Sequence, residues 1–218
     1  MGYRLIALDI DGTIRKMDRP PSFRTHQAIE AAKKVGASVT LVTGRMFKSA
    51  ISATSQLDIT SPIVSFQGAH IANPKTGEIL HHVPLEPEMC LKALNELSSW
   101  PKEILAYIGN DVHANVLTPW VEAYGDRNKG SVHITFDMHR LAVKKPTRLA
   151  VLGDENEISD LEATLKAKVN GELYVTRSLP TMCEILHPDG NKKSGLIWLS
   201  KHLNISRRET IVCGNSYE

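Results

Sequence analysis

Four short apolar runs, Tyr3–Leu8, Ser38–Val42, Pro62–Phe66 and Thr210–Cys213, each stop abruptly at small, polar or ionisable residues. The stops are Asp9 and Asp11, Thr43-Gly44-Arg45, Gln67-Gly68, and Gly214-Asn215. Continuous apolar runs of this length read as strands buried on both faces, the habit of a parallel sheet. Helical patterns lie between the first three, at Ser22–Val35 and Met46–Leu57. The first places Ala28, Ile29, Ala32 and Val35 on one face, opens at a Ser cap and stops at Gly36. Strand, helix, strand, helix, strand predicts right-handed crossovers on a parallel sheet with helical cover. Ligands of such sheets bind beyond the carboxyl ends of the strands. All four stops are therefore expected to face one crevice.

The middle of the chain differs. Pro84 and Pro87 punctuate the start of a helix running to about Trp100, and half-polar strand candidates follow at Ile104–Ile108, Val112–Val116, Val132–Phe136, Arg148–Leu152 and Leu173–Thr176. A second helix is expected from Ile158 to about Val169, with Asp154-Glu155-Asn156-Glu157 as its dipole-favoured first turn. Alternating polarity in the strands predicts an antiparallel sheet with helices on one face. After Pro188-Asp189-Gly190 the first style returns, with a helix from about Lys193 to Leu203 and the last buried run. The reading is an α/β, Rossmann-like core of residues 1–83 and 188–218, interrupted by an inserted α+β domain of residues 84–187.

Charge and composition narrow the partners. The 26 basic and 24 acidic residues among 218 are interspersed, so no basic stripe predicts nucleic acid and no polybasic run predicts a membrane surface. A small molecule is the expected partner. No apolar stretch is long enough to cross a bilayer and the start carries no signal-peptide pattern, so a cytoplasmic location is expected. Cys90, Cys183 and Cys213 lack metal or disulfide spacing and read as buried, reduced thiols. No pair of the nine His residues has helical metal-ligand spacing, and Trp100, Trp120 and Trp198 read as a helix end, a loop and a core helix.

Asp9 and Asp11 carry the most chemistry. Gly12-Thr13 lets the chain turn out of its strand and present amides to a bound anion. A carboxylate can attack phosphorus and form an aspartyl phosphate, dividing hydrolysis into two steps. A second carboxyl can protonate the leaving oxygen and then deprotonate water, a role worth about 10²- to 10⁴-fold in rate. Two carboxylates and a phosphate dianion repel one another, and a Mg²⁺ among them removes that objection.

Asp9-Ile10-Asp11-Gly12-Thr13 resembles the DxDGT motif of the haloacid dehalogenase superfamily. The resemblance implies that Asp9 is the nucleophile and Asp11 the acid/base, both contributing to a Mg²⁺ site, the latter through its backbone carbonyl. Leu41-Val42-Thr43-Gly44-Arg45 is similar to the second motif, which gives Thr43 the phosphoryl oxygens and puts Arg45 near the substrate. Gly190-Asn191-Lys192-Lys193-Ser194-Gly195 resembles the GVSKG pattern of the Cof-like subgroup. That pattern aligns Lys193 with the catalytic lysine, Lys192 being the alternative one residue earlier. Gln67-Gly68-Ala69 is similar to the subgroup's NGA, with Gln67 in a substrate-orienting place. An insertion between the second and third motifs implies a cap over the site.

The fourth motif, GDxxND, is matched by Gly214-Asn215-Ser216-Tyr217-Glu218, with Asn215 replacing a metal-binding Asp and Glu218 standing for Asn. The core is accordingly expected to lack its C-terminal edge unit. The implied function is Mg²⁺-dependent hydrolysis of a small phosphorylated metabolite, a sugar phosphate, by a monomer or homodimer. The alternative is a descendant that binds a phosphorylated ligand without turnover.

Overall fold

The computed structural model describes residues 2–16, 19–128 and 131–215, the side chains at 53 and 126–128 excepted. Ser216, Tyr217 and Glu218 of the fourth motif lie outside the described residues. The chain forms two compact units, Met1–His82 with Asn191–Glu218, and Val83–Gly190. The first begins β1 (Leu5–Leu8), α1 (Phe23–Lys34), β2 (Ser38–Leu41), α2 (Phe47–Thr54), β3 (Ile63–Ser65), β4 (His70–Ala72) and β5 (Ile79–His82). The second holds α3 (Pro87–Glu96), β6 (Ile104–Ile108), β7 (Asp111–Ala114), α4 (Pro119–Asn128), β8 (Val132–Ile134), β9 (Arg148–Leu152), α5 (Glu155–Val169), β10 (Tyr174–Leu179) and β11 (Met182–Leu186). The chain then returns to the first unit with α6 (Lys192–His202) and β12 (Thr210–Cys213).

In the first unit β1 is paired in parallel on both sides, with β12 and with β2, so the strands end side by side. A parallel bridge from Val42 to Val64 passes the sheet on to β3, and β3–β4–β5 continues antiparallel. The β4–β5 hairpin was not among the strands expected from the sequence. One layer of core, including Leu41, Ile63 and Ile29, lies with residues of α1 and α2, and a second, Ala7, Val42, Val64, Ile71 and Leu199, with α6. Burying a side chain such as Leu41 fully contributes about 1.5–3 kcal/mol, and this sandwiching makes β1 a rigid base for the residues that follow it. Helix α1 starts where the Ser22 hydroxyl accepts the Thr25 amide at 3.1 Å and ends at Gly36, whose φ of +85° suits only glycine.

The second unit has one sheet in the order β10-β11-β9-β6-β7-β8. Its pairs are antiparallel except β7 with β8, which are parallel, a departure from the all-antiparallel expectation. Helix α4, with Trp120 in its first turn, separates these two strands and makes the parallel return; Trp120 was expected in a loop. Thr118, whose hydroxyl accepts the Val121 amide at 3.3 Å, and Pro119 at the helix start explain why the helix begins there. Residues Ile104, Ala106, Leu149, Val151, Cys183 and Ile185 alternate onto one face and form the core with α3 and α5. On the other face Arg148 and Glu184 form a buried ion pair, with the guanidinium 4.1 Å above the Tyr107 ring. The Tyr107 hydroxyl donates to Tyr124 of α4 at 2.8 Å, which fastens that helix to the face.

Helix α5 opens on Asp154–Glu157 as expected, at a capping box in which Asp154 and Glu157 exchange hydrogen bonds with each other's amides. Cys90 and Cys183 are buried as expected, and Cys213, on edge strand β12, is exposed. Among the described residues no helix is long and apolar enough to cross a membrane.

Candidate active site

The first carboxylate stands where β1 leaves its sheet. The Asp9 amide still donates to the Cys213 carbonyl at 2.9 Å, after which the Ile10 carbonyl gathers the amides of Thr13, Ile14 and Arg15 at 3.4, 3.2 and 3.2 Å. Ile10 and Ile14 are buried in the core and pin the turn from beneath. Gly12 is needed twice over. Its φ is +81°, and a Cβ there would collide with the side chain of Asn215. The Thr13 hydroxyl lies 3.5 Å from Asp9 Oδ2.

The second stop packs beside the first, because Val42 donates to Leu8 across the β1–β2 seam at 2.9 Å. Thr43 is buried, its amide bonded to Val64 and its hydroxyl accepting the Arg45 amide at 3.2 Å. The third stop locks onto it: Gln67 donates its amide to the Thr43 carbonyl at 3.0 Å, and Phe66 to the Arg45 carbonyl at 2.9 Å. Phe66 and Gln67 hold left-handed φ values of +49° and +58°, a conformation that costs each about 1–2 kcal/mol and that these bonds enforce. A Cβ on Gly44 would fall 2.6 Å from Gln67 Nε2, so Gln67 supports the second motif from behind. It is 2% exposed.

Asn191 caps α6, its side chain accepting the Ser194 amide at 2.9 Å. That cap makes Lys192 the first helical residue, and its Nζ lies 3.4 Å from Asp9 Oδ1. Lys193, expected in this place, is exposed instead. The correction has a simple cause: neighbours on a helix point about 100° apart, so only one of two adjacent lysines can reach Asp9. Two glycines set the height of the helix. A Cβ on Gly68 would strike the Asn191 carbonyl, and one on Gly195 would lie 2.8 Å from Val64 Cγ1 and 2.9 Å from Gly68 Cα. Neither Asn191 nor Gly195 was singled out from the sequence, although Asn three residues before Ser, opening an apolar pattern, is an N-cap signal.

Arg45 is tied to the first motif. Its Nε and Nη2 donate to the two oxygens of Asp11 at 2.6 and 2.8 Å, and Nη1 to Ser49 at 3.1 Å. The structure thus brings together Asp9 with Thr13 and Lys192, Gly12 with Asn215, Asp11 with Arg45, and Thr43 and Gly44 with Gln67. Burial pushes the Asp9 carboxyl above the ordinary carboxylate range, while the Lys192 ammonium and the Ile10 amide pull it back.

The donors at this end of β1 are hard oxygens: the Asp9 carboxylate, the Asp11 carbonyl and the Asn215 side chain that packs over Gly12. Among the described residues no three His, Cys, Asp or Glu gather as a metal cage. A few oxygens with room for waters and phosphate suit Mg²⁺, which keeps several waters and takes one or two carboxylates. The set fits that ion, with Asn215 neutral.

The model of a family of haloacid dehalogenase-like hydrolases matches residues 6–218. The chain is 27% identical over 219 residues to the 5-amino-6-(5-phospho-D-ribitylamino)uracil phosphatase YitU of Bacillus subtilis, covering 97% of this chain and 79% of that protein. A haloacid dehalogenase-like hydrolase from Bacteroides thetaiotaomicron superposes with a TM-score of 0.82 at 24% identity, over 99% of this chain and 82% of that one. The subclass IIB sugar phosphatase BT4131 superposes with a TM-score of 0.78 at 16% identity, over 96% and 79%.

Proposed function

The chain belongs to the haloacid dehalogenase-like hydrolases and is a phosphatase of that family, and from that premise we propose that it hydrolyses a small phosphorylated metabolite, of the sugar-phosphate class, through an aspartyl phosphate on Asp9. The observation that carries this reading is the Asp9 carboxylate, on a turn pinned by Ile10 and Ile14, with Lys192 at 3.4 Å and a second carboxylate two residues on. An Asp9 oxygen forms a bond to phosphorus as the ester P–O bond breaks, and Asp11 gives its proton to the leaving oxygen. Water then attacks the same phosphorus, Asp11 takes a proton from it, and the bond to Asp9 breaks to release phosphate. Lys192 offsets the charge that collects on the phosphoryl oxygens, and Thr43 and Thr13 supply hydrogen bonds to them. Asp9, the Asp11 carbonyl and Asn215 hold Mg²⁺, which neutralises phosphate charge when bound.

A second reading follows from Asn215, whose neutral side chain lowers the charge available to a divalent ion: the crevice binds a phosphorylated ligand without turnover. The two separate in one experiment. Phosphate release from a panel of sugar phosphates is measured with and without Mg²⁺, with Asp9→Asn as control, alongside calorimetric binding. Mg²⁺-stimulated release that vanishes in the variant supports catalysis; binding with no release supports the second reading. Equal release by wild type and variant refutes the mechanism.

A further inference from the structure

Three N–H donors of the Arg45 guanidinium hold partners. Two form a fork on Asp11, at 2.6 Å from Nε to Oδ2 and 2.8 Å from Nη2 to Oδ1, and Nη1 donates to the Ser49 hydroxyl at 3.1 Å. Ser49 is 6% exposed on the first turn of α2. The Arg45 backbone is fixed as well, its amide on the Thr43 hydroxyl at 3.2 Å and its carbonyl accepting Phe66 at 2.9 Å. Among the described residues Arg45 is the side-chain anchor of the Asp11 carboxylate. Asp11 precedes a glycine with φ of +81° and its side chain is 41% exposed, so unheld it would sample several rotamers.

We propose that Ser49 and Arg45 are positioning residues for Asp11: Ser49 sets the plane of the guanidinium, and the guanidinium fork sets the plane of the carboxylate that exchanges protons with the leaving oxygen and with water. The inference rests on the assignment of Asp11 as acid/base and extends it to two residues that act through Asp11. Each carboxylate oxygen keeps a second lone pair beyond the fork, so the clamp leaves Asp11 able to hand over a proton. A planar fork matches a carboxylate in two places at once, and a lysine ammonium cannot reproduce it. Ser49 makes the arrangement one-sided. With Nη1 held by a buried hydroxyl, the guanidinium cannot rotate toward a phosphate without breaking that bond.

The test uses two substrates that differ in how much help the leaving group needs. p-Nitrophenyl phosphate departs as a stabilised phenolate, whereas a hexose phosphate departs as an alkoxide that must be protonated. In Arg45→Lys, kcat for the hexose phosphate falls about 10²-fold or more, the lower end of what a positioned acid/base supplies, while kcat for the aryl phosphate falls far less. Ser49→Ala shifts the same ratio in the same direction by a smaller factor. Because both substrates meet the same folded fraction of each variant, partial misfolding cancels from the ratio. Parallel losses on both substrates, or a rise in both KM values with kcat unchanged, overturn the inference and return Arg45 to phosphate binding. A wild-type protein that turns over neither substrate overturns the phosphatase reading itself, and this inference with it.

Discussion

Gly195→Ala is a small change placed where the fold has no room. An ideal Cβ there meets Val64 Cγ1 at 2.8 Å, Gly68 Cα at 2.9 Å and the Gly68 carbonyl oxygen at 3.0 Å. Comfortable carbon contacts lie near 3.5–4.0 Å, so α6 must lift by roughly 0.5–1 Å, because two of the three obstacles are backbone. Overpacking of this kind costs about 1–3 kcal/mol, and replacing glycine by alanine inside a helix returns about 1 kcal/mol. The expected net loss is up to about 2 kcal/mol, read as a lower urea midpoint at constant slope. The lift also moves Lys192, three residues upstream on the same helix with its Nζ 3.4 Å from Asp9. Since a misplacement of about 1 Å can cost about 10²-fold in rate, kcat is expected to fall by roughly 10- to 100-fold, well beyond any loss of folded protein. A variant with a higher midpoint, or one that stays fully active, would refute the argument that this glycine sets the height of the helix.

Two further outcomes follow. Lys192→Met should lower kcat by about 10²-fold or more, the scale of losing one positioned donor to a developing charge, while Lys193→Met stays near wild type; assays of phosphate release on both variants check this, and the reverse order would restore the sequence-based assignment. His70 is held neutral in the fold, its proton affinity pushed down to about 4 by burial and by His82, against 6.5 unfolded. The unfolded chain therefore binds the extra proton between these values, and stability is lost as pH falls from 6.5 through 4, by about 3 kcal/mol at most. Urea midpoints across that window should slope less in His70→Gln than in wild type, and identical slopes would refute the assignment.

The sequence made the first motif legible because its signal is local: an apolar strand, two carboxylates and a glycine, all within one turn of chain. The α1 boundaries were readable for the same reason, from Ser22 and Gly36. What escaped depends on contacts between distant segments. The choice of Lys192 over Lys193 is made by the Asn191 cap and by the wedge of Gly68 against the Asn191 carbonyl. The packing of Gln67 against Gly44 depends on a left-handed backbone that the sequence does not display. The Arg45 fork on Asp11 spans two motifs that no periodicity connects. The parallel β7–β8 pair depends on α4, which begins at the Thr118-Pro119 cap.

The central claim is that Asp9 carries the phosphoryl group. Acid-quenching the protein during turnover of a sugar phosphate with Mg²⁺, then mapping peptides by mass spectrometry, tests it most directly. The account predicts a PO₃H adduct on Asp9, absent in Asp9→Asn. Steady phosphate release with no adduct at Asp9, or with the adduct on another residue, would contradict it.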